Sequence, residues 1–118
     1  MMNFSSIFTF LSTIKTLHWM TRSHAHHVVL DDAHGEFSDK LDEFVESCIG
    51  ANNVKKFDNI SIAFQTPADE EELVELFEIS FDNLITSLGK YANTPALESL
   101  IDDLTNIANK TSYLLKMN

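Results

Sequence analysis

The chain of 118 residues has one cysteine, three glycines and two prolines. A single thiol, Cys48, excludes an intrachain disulfide and suits a reducing setting such as the cytoplasm, or the host's cytoplasm for a viral protein. So few helix breakers leave room for long uninterrupted helices. Basic residues are scarce: 8 Lys and Arg stand against 18 Asp and Glu, for a formal net charge of −10. That balance argues against nucleic-acid binding, so no DNA partner is expected. It suits a surface or cavity that gathers cations. No apolar run approaches the ~18 residues of a spanning helix, so no membrane partner is expected either. The opening stretch, MMNFSSIFTFLSTIK, lacks the basic segment of a signal peptide and is read as part of the fold.

What is present is apolar volume at helical spacing. Hydrophobic residues make up 44% of the chain, nine of them phenylalanine, enough to build one core in one domain. Four segments carry the 3.6-residue period. The first, about 3–22, repeats Phe4, Ile7, Phe8, Leu11, Ile14 and His18. The second, about 25–49, has Leu30, Phe37, Leu41, Phe44 and Cys48 on one face, with Gly50 as its expected stop. The third, about 67–91, is announced by Thr66-Pro67, a cap and a first-turn proline. Its face runs Leu73, Leu76, Phe77, Phe81, Leu84, Leu88 and Tyr91. The fourth, about 95–116, repeats the device with Thr94-Pro95, then Leu97, Leu100, Ile101, Leu104, Ile107, Ala108, Thr111 and Leu115. The link at 51–65 holds turn formers and the apolar Phe57, Ile60, Ile62 and Phe64, and is expected to pack down. No strand-like alternation is long enough to matter. The expected architecture is all-α: an antiparallel four-helix bundle of ferritin-like layout, with the longer connection between helices two and three.

The chemistry is concentrated early in the chain. All five histidines lie between His18 and His34: His18, His24, His26, His27 and His34. Asp31, Asp32, Asp42 and Glu46 share the second helix with His26, His27 and His34. Imidazole with carboxylate is a ligand set for iron, zinc or manganese. With His27 at zero and ~100° per residue, Asp31 falls near 40°, Asp42 near 60° and Glu46 near 100°, beside an apolar face centred near 300°. The four residues therefore share one flank. Along the axis the His27/Asp31 and Asp42/Glu46 pairs are ~22 Å apart, so one ion cannot hold both pairs within one chain. A two-fold axis between antiparallel copies solves this twice over, which predicts a dimer with two sites at its interface. His18, at the end of the first helix, is placed to join them.

The run Lys15-Thr-Leu-His18-Trp19, then His27-x3-Asp31, then Asp42-x3-Glu46 resembles the ferroxidase fingerprint of Dps, the mini-ferritin family. That resemblance implies iron held between two-fold-related subunits, by His18, His27 and Asp31 of one chain and Asp42 and Glu46 of the other. It implies oxidation of Fe(II) by hydrogen peroxide or dioxygen, storage of the product, and a shell of twelve chains. Compact members of the family occur in bacteriophages.

Two other readings stand beside it. A di-iron site inside one bundle needs two Glu-x-x-His pairs; the sequence has none, and Asp31-x-x-His34 is its nearest approach. A helical binding or phage accessory protein without oxidation is the alternative that keeps the fold and dispenses with the chemistry.

Overall fold

A computed structural model describes residues 2–63 and 65–117. Its four helices are α1 (Ser5–Met20), α2 (His24–Asn52), α3 (Glu70–Gly89) and α4 (Pro95–Lys116). They form an all-helical bundle of 44 × 27 × 19 Å. The reason is the spacing of apolar residues. Ile7, Phe10, Ile14 and Leu17 of α1 are buried, as are Leu30, Phe37, Leu41, Phe44 and Cys48 of α2. Leu73, Phe77, Phe81, Leu84 and Leu88 of α3 meet them, and α4 closes the core with Leu97, Leu104, Ala108, Thr111 and Leu115. Steps of three and four keep each stripe on one side of its helix.

Phenylalanines from three helices interlock at the centre. Phe10 meets Phe37 edge-on with ring centroids 4.8 Å apart, and Phe81 lies 5.9 Å from Phe10 and 5.8 Å from Phe37. Each such side chain contributes ~1.5–3 kcal/mol by leaving water, before the cost of ordering it.

Contacts at the helix ends fix the topology. Glu70, the first residue of α3, accepts hydrogen bonds from the α1–α2 turn. The end of α4 meets the start of α2, where His26 Nε2 donates to the Leu115 carbonyl at 2.8 Å. At the far end Asn93 donates to Asn52. Thus α1 and α4 run one way, and α2 and α3 the other. Each helix packs on two antiparallel neighbours: α1 on α2 and α3, α4 on α2 and α3. The described residues 53–63 and 65–69 return along the length of the bundle, the one long crossover that ferritin-like connectivity requires.

Local chemistry moved two expected boundaries. The second helix passes Gly50 and ends at Asn53, whose left-handed backbone (φ 51°, ψ 47°) lets its N–H reach the Ile49 carbonyl. Asparagine tolerates that conformation, so a glycine was not needed. The third helix starts at Glu70, not at Pro67. Its cap is Asp69, which accepts from Glu72 N–H at 2.8 Å, while Glu72 accepts from Ala68 N–H. This near-reciprocal exchange resembles a capping box and outcompetes Thr66. The fourth helix starts as its sequence announces, with Thr94 accepting from Leu97 N–H. The crossover holds no helix among the described residues, and Phe57, Ile60 and Ile62 stay exposed. It is tied to the start of α1 by Asp58 N–H to the Met2 carbonyl at 2.8 Å, by Ser61 N–H to Ser5 Oγ at 3.0 Å and by Phe57 edge-on to Phe4, and Val54 packs against the core. Phe64 lies outside the described residues.

Candidate metal centre

The short turn between α1 and α2 brings His18 and His27 into one unit. Ser23 caps α2 by accepting from His26 N–H at 3.1 Å, which starts the helix directly after the turn. The His18 and His27 rings then stack, with centroids 3.9 Å apart and planes 24° from parallel. Each Nδ1 lies against the other residue's main-chain carbonyl, His18 Nδ1 to His27 O at 3.0 Å and His27 Nδ1 to His18 O at 3.1 Å. A carbonyl only accepts, so both Nδ1 atoms carry the proton. Each Nε2 then presents a lone pair, and neither has a hydrogen-bond partner among the described residues. A main-chain carbonyl on the far ring nitrogen is how a metal-ligating imidazole is commonly oriented. His18 is 9% exposed, whereas His27 is exposed.

The turn itself is held from α3. Oε1 of Glu70 accepts from Thr21 Oγ1, from Arg22 N–H at 3.2 Å and from Ser23 N–H at 3.1 Å. Partial burial raises the pKa of this carboxyl, but these donors and the nearby His26 outweigh it and hold the group below its ordinary value. Glu70 is therefore a positioning residue for the histidine pair. In the sequence it stands only as one acid in the first turn of a helix. Its partners lie 47 to 49 positions away, so no local pattern could reveal it.

Of the remaining histidines, His26 is no ligand. It is 2% exposed and its Nε2 is committed to Leu115; its Nδ1 sits 3.4 Å from Glu70 Oε1. Its place on the α2 wheel, next to the apolar stripe, accounts for this. His24 is exposed at the start of α2. His34 is half-buried on α2. Burial and the charge of Lys15 lower its pKa, Asp31 counteracts, and His18 adds to the lowering. Lys15, His18, Asp31 and His34 thus share one electrostatic neighbourhood, and His34 belongs to the site's surroundings. The Asp31-x-x-His34 spacing was the available signal.

The carboxylates divide as the helix rise requires. Asp31 lies near the histidine pair. Asp42 lies in the other half of α2, lining a furrow of about 520 Å3 with Phe8, Leu11, Val45 and Phe57. Glu46 borders a depression between α2 and α4, with Ser47 and Ser99. All three are exposed and none forms an ion pair among the described residues. The paired charges of α2 lie on its opposite flank, where Lys40 meets Asp103 at 3.5 Å and Glu36 meets Lys110 at 3.2 Å. Among the described residues no group of three or more His, Cys, Asp or Glu gathers closely enough within one chain to hold an ion. The core offers no carboxylate either: its buried polar residues are Thr13, His18, His26 and Thr111. A di-iron site inside the bundle finds no carboxylate among the described buried residues.

The family of unknown function DUF5856 matches residues 18–115. This chain belongs to that family. An uncharacterized 14.6 kDa protein in the mobD-ri intergenic region of Enterobacteria phage T4 is 27% identical over 100 residues, which span 85% of this chain and 74% of the phage protein. No solved structure matches. Membership of the Dps mini-ferritins is therefore corrected: the family that spans the bundle is DUF5856, and no mini-ferritin match accompanies it. The resemblance rested on a short motif between Lys15 and Glu46. His/carboxylate spacings of three and four recur wherever a helix displays ligands on one flank, so such a motif specifies a helix face more than a lineage.

Proposed function

We propose that this protein binds a divalent transition metal, iron first and zinc or manganese as substitutes, between two copies of the chain, and that it oxidises Fe(II) there. The observation that carries the reading is the reciprocal clamp of His18 and His27. It spends both Nδ1 protons on main-chain carbonyls and leaves both Nε2 lone pairs unengaged. Asp31 adds a carboxylate on the same flank of α2. Asp42 and Glu46, too far along the same helix to reach that ion, complete the set from a second copy. Nitrogen with oxygen donors matches these metals.

In this reading iron is substrate. Each Fe(II) gives up one electron; two electrons and two protons convert one hydrogen peroxide to two waters. The carboxylates offset the charge gained by the iron. The surplus of acidic groups raises the local concentration of Fe(II). The test is iron-dependent consumption of peroxide, followed together with ferric absorbance. Replacing both Asp42 and Glu46 by Ala is expected to abolish it at unchanged helicity. Undiminished consumption by that variant refutes the shared site. Protein that neither binds nor oxidises iron supports the accessory-protein reading instead.

A further inference from the structure

The face made by α1 and α2 carries a pattern that the single chain does not use. Gly35 sits in the middle of the 29-residue α2, where glycine costs up to ~1 kcal/mol relative to alanine. Nothing in the chain requires it. A Cβ built on Gly35 meets no atom within 4 Å, and its φ is not positive. The flank it occupies holds the three acids without ion-pair partners and the exposed Val28 and Ile49.

We infer that this face pairs with a second copy of the same chain, about a two-fold axis that crosses α2 between Gly35 and Ser38. The inference deepens the proposed metal reading, whose ligand pairs only a second copy completes. The antiparallel register that sets His27 opposite Glu46 and Asp31 opposite Asp42 also sets Val28 opposite Val45, and Gly35 opposite Ser38. On the helical wheel all eight positions fall within about 50° of one line along α2. Small residues thus meet where the helices cross, which permits axes as close as ~8 Å. Valine meets valine beside the apolar furrow of Phe8, Leu11 and Val45.

Charge selects this partner. One end of the face holds Lys15 and Asp31 with the imidazoles of His18, His27 and His34; the other holds Asp39, Asp42 and Glu46. Antiparallel pairing keeps the two acidic ends apart and sets each against the end that holds Lys15, whereas parallel pairing opposes them. The one like-charged pair, Asp31 with Asp42, is where a cation would strengthen the contact.

The test is a register measurement by cross-linking. Protein carrying Gly35→Cys is mixed with protein carrying Ser38→Cys and oxidised, with and without Zn(II); Cys48, fully buried, is left in place. Disulfides between the two variants are expected to outnumber those within either by several-fold. Equal yields overturn the register. Light scattering gives the second readout: a mass twice the 13.4 kDa chain for wild type, falling to one chain for a helical, folded Gly35→Leu. Wild type that stays monomeric with and without Zn(II), or a Gly35→Leu protein that stays dimeric, overturns the interface. A dimer of the expected register that binds no metal leaves this inference standing and refutes the metal reading; a monomer that binds metal overturns this inference and the shared site alike.

Discussion

Glu70 joins three helices through one oxygen, so its removal is the most informative single perturbation of the histidine pair. The carboxylate accepts from Thr21, Arg22 and Ser23 and stands 3.4 Å from His26 Nδ1. A hydrogen bond to a charged group contributes ~1.5–3 kcal/mol, but such terms do not add, and exposed charges are screened. The Glu70 side chain is 38% exposed, and screening brings the loss for Glu70→Gln to about 1–2 kcal/mol, at and below the lower end of that range. For a chain of this size that corresponds to a fall in Tm of ~3–12 °C. The pH dependence has a definite sign. The folded carboxyl sits below its usual 4.5, so its stabilisation is complete above that value and is lost as the pH falls through the depressed one. Thermal unfolding followed by circular dichroism should show the gap between wild type and Glu70→Gln at pH 7, closing below about pH 4 as the wild-type carboxyl gains its proton. A gap unchanged at pH 3, or no gap at pH 7, refutes the assignment. Proton NMR of the imidazoles adds a local readout, since the Nδ1–H signals of His18 and His27 should exchange faster once the turn loosens.

Truncating Phe37→Ala removes the ring at the centre of the aromatic cluster and should cost ~3–5 kcal/mol by urea denaturation, a large part of the stability of such a domain. At Asn53, where the backbone is left-handed, Asn53→Val should cost ~1–2 kcal/mol while Asn53→Gly is neutral or stabilising, read as shifts of the urea midpoint. Burial pushes the Cys48 thiol up, so at pH 8 it should react with a disulfide reagent only as fast as the chain opens; immediate labelling of folded protein contradicts its place in the core.

The helices were legible because their signals are local. Every apolar position singled out on α2 is buried, from Leu30 to Cys48, and Thr94-Pro95 starts α4 as written. Boundaries failed where two local signals competed, as at Thr66 against Asp69, or Gly50 against Asn53. The apolar crossover residues misled for a different reason: Phe57, Ile60 and Ile62 promise burial, but the four helices already fill the core and leave them no place in it.

The histidines divide the same way. That they cluster with carboxylates on one helix flank follows from the order of residues and the pitch of the helix alone. That His26 faces inward to Leu115 while His18 and His27 lock each other's tautomers does not. Those outcomes depend on where α4 ends, and on Glu70 reaching back to the turn from a helix that begins almost fifty residues later. Periodicity and ligand spacing belong to the chain as a string of residues. Which lone pairs remain available to a metal was decided only when distant carbonyls and one distant carboxylate arrived beside the rings.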